Sequence, residues 1–373
     1  MLTSTTDSDA ACAIWVPSTT TVNLYAPIAS TVNNFIRGSG IVNQYVSFTC
    51  TGAVKPGRCY WHVWNCEAFA GTKGSFTFTC DAGGVRLHNA TVSKTVMANN
   101  DGLFSDAKNA LRAVEGENVV ATANGANGNY PCALAGARLV IKEAKYSSFV
   151  RPTGEGTVVI TNNPWTALSM LGDLTQNYNL EVHAAGNNFK QIAIPGLSTM
   201  KLFVEDALTV EGNAVNKLAL FGGTLDLNGY SQHCDGFFYY DYKGNVTKAN
   251  AGTGTIRSAS PATLSIVQRT PQMADETCWH GVFPYGGTLE GALSIAKSGA
   301  ETTVLGGKDD VSTFAMSGSL SVTEGTLGLV KASFTGLAGV SVADAATLAV
   351  GENVTVVLNG VTMVKDIDYY LTF

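Results

Sequence analysis

The residues best suited to chemistry in this 373-residue sequence are aromatic, and they fall into three clusters. Tyr60-Trp61-His62-Val63-Trp64 lies between Cys59 and Cys66. Phe237-Phe238-Tyr239-Tyr240-Asp241-Tyr242 interrupts an otherwise regular pattern, and Trp279, Phe283 and Tyr285 belong to a further interruption. Sugar rings present apolar C–H faces that stack on aromatic side chains, while nearby Asp, Asn and His bond the hydroxyls. Trp61, Trp64, Tyr239, Tyr240, Tyr242, Trp279 and Tyr285 are therefore candidate ligand-binding residues, for a glycan or another host or cell-surface ligand. The competing use of each cluster is to pack an insertion onto the body of the protein or to close its ends.

Catalytic patterns are sparse. Acid–base cleavage of a glycoside needs two carboxylates held about 5–10 Å apart. Asp309 with Asp310 and Asp366 with Asp368 are the available pairs. Neighbours on a strand point to opposite faces, so Asp309 and Asp310 can cooperate only in a loop. Gly306-Gly307-Lys308 favours one, and a solvated turn is its ordinary meaning. Asp366 and Asp368 could share a face. Arg151 and Arg269 have no matching partners for lyase chemistry, and the Gly-His-Gly and Arg-Ile-Lys signatures of pectin hydrolases are missing. Five histidines (His62, His88, His183, His233, His280) occur without a GxSxG elbow or an HExxH pair. No catalytic residue is assigned. His233-Cys234 with Cys278 and His280 could ligate zinc tetrahedrally, but a Cys234–Cys278 disulfide flanked by surface histidines is the simpler expectation, and no metal or cofactor is expected.

Eight cysteines are present, five of them no later in the chain than Cys80, and no CxxC pair occurs. Disulfides in an oxidising compartment are the simplest use for them, with Cys59, Cys66, Cys234 and Cys278 as the leading candidates. Buried free thiols are the alternative. The net charge of −6 is spread thinly, and no Lys/Arg cluster offers a phosphate-neutralising face, which argues against a nucleic-acid partner. No apolar run reaches the roughly 18 residues of a membrane helix. The start, MLTSTTDSDAACAIW, has no signal-peptide character and reads as the beginning of a mature chain whose leader has been removed. An extracellular or bacterial cell-surface location is expected, with a cytoplasmic one as the alternative.

The elements that must position these residues are strands. Charged residues make up only 14% of the chain, against about 25% in ordinary domains, and 40 residues are glycine. Gly223-Thr224-Leu225-Asp226-Leu227, Gly254-Thr255-Ile256, Gly287-Thr288-Leu289, Gly325-Thr326-Leu327 and Ala346-Thr347-Leu348 repeat one start, at spacings of roughly 20–40 residues. Alternating runs at Leu264–Ile266, Leu293–Ile295 and Leu320–Val322 lie between them, each with one face in and one out. A coil cannot bury its apolar face alone, but a stack of coils can. The pattern predicts an all-β chain folded as a right-handed parallel β-helix (β-solenoid). Residues 151–373 would form the repeats, and 1–150 a cysteine-rich N-terminal cap region or first coils, with strands at Tyr45–Thr49, Ser75–Thr79 and Leu139–Ile141. Ser105–Val114 is expected to form a short helix, capped by Ser105 with Asp106 in the first turn. Self-association through solenoid ends or edges is a further expectation.

Residues 221–358 resemble the passenger-associated strand repeats of bacterial autotransporters. The resemblance rests on Gly222-Gly223-Thr224-Leu225-Asp226-Leu227-Asn228-Gly229-Tyr230-Ser231-Gln232, on Thr302-Thr303-Val304-Leu305-Gly306-Gly307, and on Ser317–Leu327. It implies a β-helix more strongly than an activity, because that group includes adhesins, enzymes and plain stalks. Complete autotransporters also carry a membrane barrel, whereas only Asp368–Phe373 (DYYLTF) follows the last repeat here. The expected function is a non-enzymatic extracellular or surface solenoid acting as an adhesin, carbohydrate-binding or structural protein. A polysaccharide-degrading enzyme on the same scaffold and a self-assembling fibre subunit are the alternatives.

Overall fold

The computed structural model describes residues 14–30, 36–50, 54–70, 75–79, 83–99, 108–125, 130–146, 149–162, 170–171, 176–186, 191–208, 217–237, 252–269, 282–358, 361–365 and 369–372. Two units divide the chain: Met1–Leu168 with Tyr178–Glu181, and Ser169–Asn177 with Val182–Phe373. Each is an all-β parallel solenoid, and no helix occurs among the described residues.

In the first unit, Thr21–Leu24, Ile41–Gln44, Tyr60–Trp64, Gly84–His88, Lys108–Glu115 and Tyr130–Ala133 stack in parallel, each one coil beyond the last. Thr21 lies beside Ile41 and Ile41 beside Tyr60, so each of these positions marks one full turn of the chain. A second wall runs from Ile14–Val16 through Ile36–Gly38, and from Thr91–Asn99 through Glu117–Gly125 to Arg138–Tyr146. Phe48–Cys50 and Phe69–Ala70 lie on a third. Alternation places Val42, Trp61, Val85 and Leu111 in one inward column and Val63, Leu87 and Ala113 in the next, all buried. At one corner Asn65 (φ 50°), Asn89 (φ 52°) and Gly116 (φ 65°) follow one another on successive coils in the left-handed region, which Asn and Gly tolerate best. The Asn89 amide donates to Asn65 Oδ1 at 3.2 Å, continuing the corner from coil to coil.

Two expectations are corrected in this unit. The expected helix over Ser105–Val114 is corrected where it is described: Lys108–Glu115 is a strand, because Leu111 and Ala113 fill the inward columns in stacking on Gly84–His88, while Ser105 and Asp106 lie outside the described residues. Nor are Cys59 and Cys66 joined in a disulfide: both are free thiols, as is Cys132. Cys59 precedes the strand Tyr60–Trp64 and Cys66 follows it. The five extended residues of that strand span roughly 16 Å, far beyond the ~7 Å limit for a disulfide. Where it is described, the cysteine-bearing stretch consists of the same coils as the rest of the unit.

The second unit bears out the repeated starts. Thr199–Leu202, Thr224–Asp226, Thr255–Val267 and Thr288–Ser298 stack in parallel. Thr224 pairs with Thr255 and Thr255 with Thr288, so these coils take more of the chain per turn than those that join Thr21, Ile41 and Tyr60. Leu264, Ile295, Leu320 and Val340 form one inward column, and Leu327 stacks on Leu348 in another. Thr302–Gly306, Gly325–Val330 and Ala346–Val350 make a further parallel wall. The last strands break the rule: Val361–Lys365 and Tyr369–Thr372 pair antiparallel with Val354–Leu358 and Ala346–Val350.

Candidate functional site

The first unit turns most of its aromatic residues toward one another. Trp61 is 0% exposed, its indole N–H donates to Gln44 Oε1 at 2.9 Å, and its ring packs on Phe69. It belongs to the core and offers no binding face, which corrects the expectation from sequence. Trp64 is half-buried in an outer ladder that runs Tyr25, Tyr45, Trp64, His88, with centroid separations of 4.8, 6.1 and 3.5 Å and nearly parallel planes. Rings stacked along the coil axis cover one another's faces and present edges to solvent. A sugar needs a face. Tyr25, at 67% exposure, starts the ladder.

Beside this ladder, His62 Nδ1 lies 3.0 Å from His88 Nε2, and His88 Nδ1 lies 3.5 Å from Glu115 Oε1. Burial, followed by the neighbouring His88 and Arg86 charges, pushes the His62 imidazole down to about 4. Burial also lowers His88, against the pull of Glu115. Burial and the repulsion between two charged rings both favour the uncharged imidazoles.

In the second unit Tyr285 is fully buried; its ring stacks on Phe237 at 4.5 Å and its hydroxyl donates to the Gly254 carbonyl at 2.7 Å. It is a core residue and not a ligand contact. Tyr239, Tyr240, Tyr242, Trp279, Cys278, His280, Asp366 and Asp368 lie outside the described residues. His233 and Cys234 cannot share a metal, because strand alternation sends them to opposite faces. His233 Nδ1 sits 2.6 Å from Asp206 Oδ1, whereas Cys234 faces the core as a free thiol with its ionisation strongly suppressed by burial. No cluster of three metal-ligating side chains occurs among the described residues.

What the structure does assemble is a cleft of about 400 Å³ in the second unit. Three stretches of chain from successive coils build it: Gly252-Thr253, Phe283-Pro284 with Gly286-Gly287-Thr288, and Gly307–Thr313. Glycine is required where those coils meet, since a Cβ on Gly287 would lie 2.0 Å from the Gly254 carbonyl oxygen. The turn Lys308–Val311 is held from below. Gly307 and Ser312 both donate their N–H to the Lys331 carbonyl, Ser312 Oγ donates to Gly286 O at 2.8 Å, and Lys331 Nζ donates to Lys308 O at 3.2 Å. Lys308, Asp309, Asp310 and Val311 are exposed at the rim. The Lys308 ammonium lies 5.8 Å from the Phe283 ring centroid, and Lys331 pairs with Glu352 at 3.6 Å. Asp309 and Asp310 form no ion pair among the described residues.

The Asp309-Asp310 turn expected from sequence is therefore real, but it borders a cleft and does not merely face solvent. Sequence alone misses the cleft because its walls belong to separate coils, each with a full turn of chain between it and the next. The recurring Gly-Gly steps at Gly286-Gly287 and Gly306-Gly307 are the one trace of it. No protein-family model, no curated protein and no solved structure matches this chain.

Proposed function

We propose that this chain is a non-enzymatic extracellular or cell-surface solenoid that presents a carbohydrate-binding cleft from a stiff stacked scaffold. The cleft carries the reading. Its volume falls in the range of small-molecule sites, about 300–1,000 Å³, and it is rimmed by Ser and Thr hydroxyls, two carboxylates and an ammonium. Val311, 52% exposed, adds an apolar patch against which a sugar's C–H face can lie. Groups that donate and accept on all sides suit a polyhydroxylated ligand better than an apolar one. The scaffold role is supported by the way side chains at equivalent positions bond one another from coil to coil, which leaves the walls stiff and the cleft preorganised.

The test is titration of the purified chain against neutral, amino and acidic oligosaccharides by calorimetry, alongside an assay for new reducing ends and unsaturated uronate products. Saturable binding without product is the expected outcome. Release of product would replace this proposal with the enzymatic alternative, and absence of binding across the panel would leave a purely structural solenoid.

A further inference from the structure

We infer that the first unit carries an oxyanion site, built by Arg86 and Arg112 and suited to a sulfate or phosphate group. The inference is independent of the cleft. The two arginines are distant in sequence but face each other in register on Gly84–His88 and Lys108–Glu115. Alternation sends Val85, Leu87, Leu111 and Ala113 inward, so both arginines leave the outer side of neighbouring strands about 4.8 Å apart. Like charges at that spacing repel. Other charged columns avoid the conflict: Glu117 pairs with Arg138, and Asp226 lies between Lys201 and Arg257. The positions that flank the two arginines in their own column are His62 and Cys132, and neither is a carboxylate.

Arg112 carries the conflict most plainly. Its Nε–H is buried and meets no acceptor among the described residues. A buried charged donor without an acceptor is costly, and a bound ion is one of the few things that satisfies it. Arg86 is held beside it: its guanidinium carbon lies 5.0 Å from the Tyr60 ring centroid, and Nη1 donates to Val85 O at 3.1 Å. Burial, and after it the Arg112 charge, pushes the Arg86 guanidinium down to about 10. An anion seated against both side chains turns their repulsion into two attractions. Each guanidinium presents its donors as a planar fork that matches two oxygens at a time. Two forks from adjacent coils exceed what the two oxygens of a carboxylate can meet, whereas a sulfate or phosphate ester presents three terminal oxygens.

The test is calorimetric titration of the full chain with inorganic sulfate, inorganic phosphate, galactose 6-sulfate and acetate at constant ionic strength. Saturable binding of the first three is expected, with acetate at least about tenfold weaker. Tighter binding of the sulfate ester than of free sulfate assigns the group to a sugar, and the reverse assigns the free ion; both uphold the site. Arg112→Met keeps the aliphatic stem and relieves the repulsion. It is expected to fold with no loss of thermal stability in chloride, while oxyanion binding falls by about tenfold or more. Arg86→Met is expected to lose as much, and Arg112→Lys, which keeps the charge without the fork, about threefold. Arg257→Gln, on an outer column of the second unit, is expected to change binding by no more than about twofold. Absence of saturable binding, acetate bound as tightly as sulfate, or binding unchanged in both methionine variants overturns the inference.

Discussion

The two units follow one coil rule with different outer surfaces. In the first, the outer columns are rings and amides: Tyr25, Tyr45, Trp64 and His88 stack face to face, and the Asn43 amide donates to Asn23 Oδ1 at 2.8 Å. In the second, one column is threonine on threonine, Thr199, Thr224, Thr255 and Thr288. The column beside it alternates in sign, Lys201, Asp226, Arg257, Glu290. Arg257 Nε lies 3.2 Å from Asp226 Oδ2 within that column. Apart from Trp61 and Ala113, the inward columns described above are Leu, Val and Ile, which discriminate little between one neighbour and another. Stacking order is therefore specified outside the core, by pairs that reward one alignment and penalise a slip. The units also differ in use: the ringed wall of the first is consumed by its own stacking, whereas the second leaves a polar cleft open.

The largest break in this comparison is expected from Trp61→Ala. It removes a fully buried indole and leaves Gln44 Oε1 without its donor, so the first unit should lose about 3–5 kcal/mol while the second keeps its own transition. Denaturant unfolding followed with a probe in each unit measures this, and a loss shared equally by both would mean that they do not unfold separately.

Acid distinguishes the units next. His62 has a folded-state value near 4, below the usual 6.5, so the folded state binds fewer protons than the unfolded chain. Its contribution is fully present above about pH 6.5 and is lost as the pH falls toward 4. The first unit should become less stable over that interval by on the order of 2 kcal/mol, allowing for solvent screening, and His62→Gln should flatten the dependence. Unfolding midpoints at pH 7 and pH 4 check this, and the same slope in the variant would place the effect elsewhere.

The smallest effect concerns the alternating column. Arg257→Glu sets an acidic residue between Asp226 and Glu290. It should cost the second unit about 1 kcal/mol at low salt, with much of the loss recovered in 0.5 M NaCl. A loss that salt does not relieve would mean that Arg257 acts by packing and not by charge.

The repeated Thr-Leu starts, the inward alternation and the recurring coils are visible in the residues themselves, because stacking demands the same local pattern on every turn. Lys108–Glu115 is not visible in that way: its cap signal is local, and the strand it enters is imposed by Gly84–His88 alongside. Cys59 and Cys66 look like disulfide formers by type and number, but both are free thiols, and the strand between them holds them apart. Trp61 and Tyr285 look like ligand contacts by type, yet one residue of alternation decides whether a ring meets solvent or core, and both fall inward. The cleft lies furthest from local inference. Gly252-Thr253, Phe283-Pro284 with Gly286-Gly287-Thr288, and Gly307–Thr313 become neighbours only because intervening coils close to the right length. Periodicity along the chain is a local property and can be read from residue types, whereas proximity across coils depends on how far each turn advances before it returns.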